Sequence, residues 1–153
     1  MSNTYTQLYI QFVFSVKGRE NLIHESYRNE LEKVITGLIN QQKCKTIAIY
    51  CNPDHLHVFI GMNPMVSPAK LMEQVKSGSS NWINENKIVR GKFSWQKGYG
   101  AFTYAHSQVD SVAKYVLNQP NHHKKRSFRE EYLLLLQQRD IAYDEEYLFE
   151  WYE

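Results

Sequence analysis

The sequence predicts an α+β fold, a ferredoxin-like split βαβ sheet with helices on one face, followed by further C-terminal helices. Two observations support this prediction. Segments with alternating polar and apolar residues and segments with apolar residues three or four positions apart follow the order strand, helix, strand, strand, helix, strand. The length of 153 residues, with 42% hydrophobic residues, suits one domain with an ordinary core.

The first three strands and the first helix follow from these patterns. Residues 4–14 alternate and are rich in β-forming residues, which predicts the first strand. Apolar residues at helical spacing predict an amphipathic helix over 25–40. Residues 45–51 predict the second strand and 56–62 the third, because the intervening 52–54 is the turn sequence Asn-Pro-Asp.

The second helix and the fourth strand complete the predicted sheet. Ser67 followed by Pro68 predicts a helix start, because serine caps a helix and proline suits its first position. The small residues at 78–80 predict a kink in that helix or a point of close approach to a neighbour. Residues 101–106 predict the fourth strand.

Two more helices are predicted after the sheet. Ser107 and Asp110 form a capping pair for a helix over 108–119, which Pro120 would end. A second capping pair, Ser-x-x-Glu at 127–130, predicts the start of the following helix.

We therefore predict a single domain over residues 1–153. It comprises a βαββαβ core over 1–106, two helices over 107–139 and an acidic, aromatic tail over 140–153. No stretch approaches the roughly 20 consecutive apolar residues that cross a bilayer, so we expect a soluble cytoplasmic protein without a membrane partner. The two cysteines lack a Cys-x-x-Cys spacing, which argues against a disulfide framework and a zinc ribbon.

The net charge of +2 hides a division along the chain. Five of the 16 acidic residues lie in the last ten positions, so the rest of the chain is more basic than the total suggests. Lys124, Lys125 and Arg126 are candidates to contact nucleic-acid phosphates, although a solvated charge run is nearly as good an explanation. The 11 tyrosines add surfaces on which unpaired bases can stack.

The most informative segment is His55-Leu56-His57, where the turn leads into the third strand. Side chains two residues apart lie on one face of a strand, so both imidazoles can face one metal ion while Leu56 and Val58 enter the core. Two ligands do not fill a coordination shell. A third ligand from elsewhere, with positions left open, would make a catalytic metal site. The alternative is two hydrogen-bonded histidines at the edge of the core.

The predicted helix over 108–119 supplies further candidates. Val112 and Val116 belong to its apolar stripe, whereas Tyr115 lies off that stripe beside polar residues, which permits a chemical role. Gln119 is the i+4 neighbour of Tyr115 on the same face, and its amide oxygen suits Mg²⁺ or Mn²⁺. Held against the histidine strand, this helix would complete a three-ligand metal site with a phenol beside it.

With these motifs the chain resembles the single-tyrosine transposases of the HUH nuclease superfamily, which the smallest bacterial insertion sequences encode. The resemblance covers nearly the whole chain. It rests on the following segments, in order: His55-Leu56-His57, Ser79-Ser80, Trp95 to Tyr99, Tyr115 to Gln119, His122-His123, Phe128 and Glu131. Each motif is weak by itself, whereas their order and spacing together are specific.

The resemblance implies that His55, His57 and Gln119 bind the divalent cation, Mg²⁺ or Mn²⁺, and that Tyr115 is the nucleophile. The phenolate would attack a DNA phosphate, release a 3′-hydroxyl and leave a 5′-phosphotyrosine, a reaction that a 3′-hydroxyl can later reverse. The resemblance also implies a homodimer whose subunits share their active sites. The implied substrate is single-stranded DNA, folded into hairpins at the ends of the mobile element.

Other readings of the residues and of the function stay open. Ser79 and Ser80 are candidates to bind DNA phosphate, although small residues for close packing explain them equally well. Tyr104, His106 and the pair His122-His123 are further candidate ligands, for which structural or DNA-facing roles are favoured. The rival functions are a rolling-circle replication nickase of the same superfamily, a non-catalytic domesticated DNA-hairpin-binding protein, and a housekeeping protein whose histidines are incidental.

Overall fold

The computed structural model describes residues 3–122 and 126–143, and at its centre lies a four-stranded antiparallel sheet in the order β2-β3-β1-β4. The strands are β1 (Tyr9–Ser15), β2 (Lys45–Cys51), β3 (His55–Gly61) and β4 (Gly100–Tyr104). The helices are α1 (Glu25–Gln41), α2 (Pro68–Glu85), α3 (Val109–Leu117), α4 (Gln119–His122) and α5 (Phe128–Gln138). This order of elements and strands confirms the predicted α+β, ferredoxin-like fold class.

The two faces of the sheet are covered by different helices. Because side chains alternate along a strand, Leu56 and Val58 lie on one face of β3, where they join the main core with the apolar sides of α1 and α2. His55, His57 and Phe59 lie on the opposite face. The buried side of α3 packs on Phe59 there. The histidine face is therefore closed by the helices that follow the sheet.

Strand pairing explains where the observed strands differ from the predicted ones. β2 spans the predicted residues, but β1 begins at Tyr9 and not at residue 4, because its ladders with β3 and β4 begin at Tyr9. β4 spans Gly100–Tyr104 and not 101–106, since Tyr104 is the last residue that pairs with β1. Alternation of residue types extends beyond the paired segment, so it cannot locate a strand end.

The helix predicted over 108–119 is also shorter than expected. α3 ends at Leu117, where the Asn118 N–H donates to the carbonyls of Lys114 and Tyr115. Pro120 does not end it but lies in the separate short helix α4. The predicted Ser107 cap is wrong, because α3 has no side-chain cap and a short 3₁₀ turn over 106–108 precedes it.

The other helix starts agree with the sequence. Ser67 caps α2, with its hydroxyl accepting from the backbone N–H of Lys70 at 3.0 Å, and Ser127 caps α5 by accepting from the N–H of Glu130 at 3.2 Å. Gly78 marks a close approach and not a kink. A Cβ at this position would lie 2.6 Å from Leu38 Cδ2, so the glycine lets α2 pack closely on α1.

Among residues 3–122 and 126–143, no helix combines enough length with enough apolar side chains to cross a bilayer. Most of the predicted acidic tail, residues 144–153, lies outside the described residues.

Candidate active site

The two histidines lie side by side at the start of β3. His55 pairs with Ser15 and His57 with Val13 of β1, so both imidazoles project from the same face of the sheet. Both are buried, and their ring centroids are 5.4 Å apart. This is the arrangement that the His-x-His spacing predicts.

An ion pair holds His55 in place. Its Nδ1–H donates to Asp54 Oδ1 at 2.7 Å, and Arg19 donates to Asp54 Oδ2 through Nε at 3.0 Å and Nη2 at 2.9 Å. Burial acts to raise the pKa of Asp54, but the hydrogen bonds and charges of His55 and Arg19 outweigh it and lower the pKa overall. Phe128 stacks on the imidazole, with ring centroids 3.7 Å apart. Burial lowers the pKa of His55 to about 4, so at neutral pH the ring is uncharged, with Nε2 as the lone-pair nitrogen.

A glutamine performs the equivalent task for His57. The fully buried Gln11 accepts from His57 Nδ1 through its amide oxygen at 2.7 Å and donates through its amide nitrogen to the Tyr104 hydroxyl at 2.8 Å. This assignment of the amide makes Nδ1 the protonated nitrogen and leaves Nε2 facing the interior of the site. Gln11 has no part in the sequence motifs, and its place on the same sheet face as His57 becomes visible only with the strand register.

Glu131 of α5 brings a carboxylate to the histidine pair. Its Oε1 lies 2.9 Å from His57 Nε2 and 4.0 Å from His55 Nε2, and its side chain is about 95% buried. His57 Nε2 therefore faces the carboxylate, while Nδ1 faces Gln11. One ligand atom each from His55, His57 and Glu131 lies within 4.8 Å of the others, so these three residues could hold a metal ion.

The sequence motifs include Glu131, but no site role was predicted for it. One signal was available. Phe128, Tyr132 and Leu135 form the apolar side of α5, and Glu131 lies within that side although a carboxylate is rarely buried without a partner. A buried acid in an apolar stripe indicates a partner elsewhere in the chain, but the helix alone does not identify it.

Tyr115 of α3 reaches the same carboxylate. Its hydroxyl donates to Glu131 Oε2, and its ring meets the His57 ring edge-on at a centroid distance of 5.9 Å. Burial raises the pKa of Tyr115, and the negative charge of Glu131 raises it further. The phenol is therefore protonated and close to the predicted metal ligands, all within one chain.

Gln119 also enters this cluster, next to a residue that the sequence did not predict. Its amide nitrogen lies 3.4 Å from Glu131 Oε2, and its amide oxygen accepts from Asn52 Nδ2 at 3.3 Å. Asn52 Nδ2 also lies 3.2 Å from His55 Nε2. Gln119 is fully buried. The structure thus brings the four predicted residues together and adds Glu131 and Asn52 to them.

The predicted DNA-binding residues divide into three groups. Ser79 is fully buried; its hydroxyl donates to the Val75 carbonyl at 2.6 Å and accepts from Trp95 Nε1 at 2.9 Å, so we withdraw it as a DNA contact. Ser80 is partly exposed, and Arg126 is exposed. Lys124 and Lys125 lie outside the described residues, as does His123.

Tyr104 and His106, the alternative candidate ligands, have other partners. Tyr104 accepts from Gln11, and His106 Nδ1 lies 3.0 Å from the Tyr9 hydroxyl in an exposed position. Neither belongs to the cluster of His55, His57 and Glu131.

Comparisons with known proteins agree with this fold. A family model described as "Transposase IS200 like" matches residues 4–119. A crystal structure of a transposase candidate from Deinococcus radiodurans R1 is similar, with a TM-score of 0.63 and 16% identity over 78% of this chain and 95% of that one. A REP-associated tyrosine transposase bound to a REP hairpin is similar at a TM-score of 0.59 and 13% identity, over 80% of this chain and 73% of that one. No curated protein sequence matches the chain.

We expect Ser79→Ala to lower the free energy of unfolding by about 1–3 kcal/mol, because it leaves the buried Trp95 N–H without its acceptor. DNA affinity should not change. The neighbouring Ser80→Ala is the control, since that hydroxyl donates to the Ser77 carbonyl within its own helix; it should stay within about 0.5 kcal/mol. Urea unfolding measures both variants. A Ser79→Ala protein that is fully stable but binds DNA poorly would contradict the structural role.

Proposed function

The chain belongs to the IS200-like transposase family, and we propose that it is an enzyme that cleaves and rejoins single-stranded DNA with Tyr115 as its nucleophile. The observation that carries the proposal is the position of the Tyr115 hydroxyl, which donates to a carboxylate that also contacts His57. Covalent catalysis needs a nucleophile beside a group that takes its proton and beside groups that stabilise the attacked phosphate. Glu131 is placed to take the proton of Tyr115, and the metal-binding cluster is placed to stabilise the phosphate.

A divalent cation, Mg²⁺ or Mn²⁺, is part of the proposal. His55 and His57 would supply two imidazole nitrogens, and Glu131 or Gln119 would supply oxygen. Mn²⁺ accepts this mixture of nitrogen and oxygen ligands. When bound, the cation would withdraw electrons from a non-bridging oxygen of the DNA phosphate and so favour attack on the phosphorus.

The chain's own residues account for the proton in the cleavage step. As the Tyr115 oxygen bonds to phosphorus, the bond from phosphorus to the 3′ oxygen breaks, and the phenolic proton passes to Glu131 Oε2. The departing 3′ oxygen takes a proton from solvent water and leaves as a hydroxyl, and Glu131 returns its proton to the solvent. The resulting 5′-phosphotyrosine keeps the energy of the original phosphodiester, so a 3′-hydroxyl can run the same step backwards and join strands.

The charges around Tyr115 favour loss of its phenolic proton only when a cation is bound beside Glu131. Burial and the charge of Glu131 raise the pKa of Tyr115 above its ordinary value, which is near 10. Positive charge next to Glu131 offsets that effect and lowers the phenol pKa. We infer that the tyrosine stays protonated until the charge of the carboxylate is balanced.

We propose single-stranded DNA with hairpins as the substrate. Support comes from the structural neighbour that is bound to a REP hairpin. Arg126, exposed before α5, can meet backbone phosphates, and the same role stays predicted for Lys124 and Lys125. Cytoplasmic localisation also stays a prediction.

We propose that each chain completes its own active site in the resting protein. Tyr115 contacts Glu131 and His57 of the same chain. The sharing of sites between subunits that the family resemblance implies would require α3 to leave these contacts. A homodimer stays a separate prediction, which light scattering tests, since one chain has a mass of 18.1 kDa.

Tyr115→Phe should abolish covalent protein–DNA adducts, because it removes the attacking oxygen while it keeps the ring. The measurement is a denaturing gel of the protein with Mn²⁺ and single-stranded oligonucleotides that span the DNA flanking its own gene. Tyr5→Phe is the control, since Tyr5 is 93% exposed, and it should form adducts as the wild type does. Adducts with the Tyr115→Phe protein would refute the nucleophile; DNA binding without any adduct in the wild type would favour the non-catalytic hairpin binder.

Glu131→Gln should weaken Mn²⁺ binding by about 10–100-fold, because an amide replaces a charged oxygen ligand. Titration calorimetry measures the affinity in the absence of DNA. Glu130→Gln removes the same charge from an exposed neighbour on α5 and should leave the affinity unchanged. Gln119→Ala completes the series. If this variant loses Mn²⁺ while Glu131→Gln retains it, the third ligand is Gln119, as the family resemblance implies, and not Glu131.

Mixing two inactive variants should not restore adduct formation if each chain completes its own site. Tyr115→Phe supplies intact histidines, and His57→Ala supplies an intact tyrosine, so subunits with shared sites would form one working site per mixed dimer. The two variants are incubated together before the gel assay. With random exchange, half of the dimers are mixed and each has one working site of two, so recovery to about one quarter of the wild-type signal would show that the sites are shared between subunits.

A further inference from the structure

A cavity of about 330 Å³ adjoins Tyr115 between α3, α5 and the end of β4. Tyr115 is part of its wall, whereas His55, His57, Gln119 and Glu131 are not among the residues that line it. Within the described part of the chain, the lining residues are Tyr104, Gln108, Ser111, Val112, Tyr115, Leu135, Gln138 and Arg139. The cavity and the metal-binding cluster thus share the proposed nucleophile and little else.

We propose that this cavity binds the nucleobase of the nucleotide next to the phosphate that Tyr115 attacks. The inference rests on the proposed function, because it takes Tyr115 as the attacking residue. A phosphate within reach of the Tyr115 oxygen carries its sugar and base within one nucleotide of that oxygen. Since Tyr115 also lines the cavity, a base held there would lie next to the residue that attacks.

The walls have the chemistry that holds an unpaired base. The Arg139 guanidinium lies 4.6 Å from the centre of the Tyr104 ring and 5.3 Å from that of Phe102. Flat guanidinium and phenol groups are the surfaces on which single-stranded bases stack. Val112 and Leu135 add an apolar lining. A base that leaves the stack of its DNA strand would therefore find flat and apolar groups to contact in the cavity.

Polar groups at the cavity offer hydrogen bonds to a base edge. Gln138 is exposed, and its side-chain amide has both a donor and an acceptor. Gln108 uses its amide oxygen to accept from the Ala105 N–H at 2.8 Å, which leaves its nitrogen as a donor. Glutamine amides pair with base edges in this way.

The charge of the cavity also suits a nucleotide. Of its eight lining residues none is acidic, and Arg139 contributes a positive charge next to the adjoining phosphate. The volume holds one base and excludes a folded hairpin. The cavity would therefore recognise the strand at the cleavage position, separately from any surface that grips the hairpin.

The cavity is also connected to the histidine pair. The Tyr104 hydroxyl at the cavity accepts from Gln11 at 2.8 Å, and Gln11 accepts from His57 Nδ1 at 2.7 Å. A base in the cavity would therefore contact Tyr104, whose hydroxyl accepts from the same Gln11 that orients His57. This places the base, the nucleophile and one predicted metal ligand on one continuous set of contacts.

The test replaces one base at a time with an abasic unit in a single-stranded oligonucleotide that contains the cleavage site. For the wild type we expect adduct formation, as kcat/KM, to fall about tenfold at one position next to the cleaved phosphate. Arg139→Ala should lose a similar factor on intact DNA and lose nothing more on the abasic DNA. Gln137→Ala is the control, because Gln137 is exposed on α5 and does not line the cavity. If the Arg139→Ala and abasic losses multiply, or if no position is sensitive, the inference is wrong.

Two additions keep the outcome clear. Gln138→Ala, at an exposed position, gives a second cavity variant in case Arg139→Ala is unstable, and it should lose part of the same discrimination. Fluorescence anisotropy of the Tyr115→Phe protein with intact and abasic oligonucleotides measures base binding without cleavage. If the wild type forms no adduct, while binding by the Tyr115→Phe protein shows a one-position abasic penalty that a further Arg139→Ala change removes, the base site stands and the cleavage chemistry is rejected. Equal affinities throughout would reject the base site alone.

Discussion

The buried carboxylate of Glu131 is the interaction on which the other contacts of the site depend. A charge removed from water carries a desolvation penalty of several kcal/mol, so it needs partners in good geometry. Those partners come from three separate elements, His57 of β3, Tyr115 of α3 and Gln119 of α4. Contacts to one charge therefore join α3, α4 and α5 to the histidine strand.

The imidazoles are oriented by neighbours of different chemistry. Asp54 and Arg19 hold His55 with a charged pair, whereas Gln11 holds His57 with a neutral amide. In both cases Nδ1 is taken up, so both Nε2 atoms are left for the centre of the site. The neutral support makes sense beside Glu131, because a second carboxylate on His57 would add negative charge to a region that is already buried and negative.

Local sequence spacing predicted the residues within single elements of the site, but not the contacts between distant segments that bring them together. The pair His55 and His57 follows from the two-residue period of a strand, and Tyr115 with Gln119 from the helical i+4 relation, although α3 ends between them. Glu131 is 74 residues from His57 along the chain, and Gln11 is 46, so no local pattern links them. The sequence left Ser79 open between a DNA contact and close packing for a related reason: a small polar residue in a helix has the same sequence signature whether it faces DNA or a buried tryptophan. The predicted ends of β1 and β4 were wrong because strand pairing, and not residue type, decides where a strand ends.

The hydrogen bond from Tyr115 to Glu131 also affects how often the resting protein would cleave DNA by accident. A DNA-cutting enzyme shares its cell with a whole chromosome, and accidental strand breaks are the hazard it brings. A half-buried phenol that faces a carboxylate attacks phosphates poorly. If the chain acts as proposed, the protein without bound metal and DNA rarely cleaves the DNA of its host. Two side chains 16 residues apart would then serve in place of a separate inhibitor.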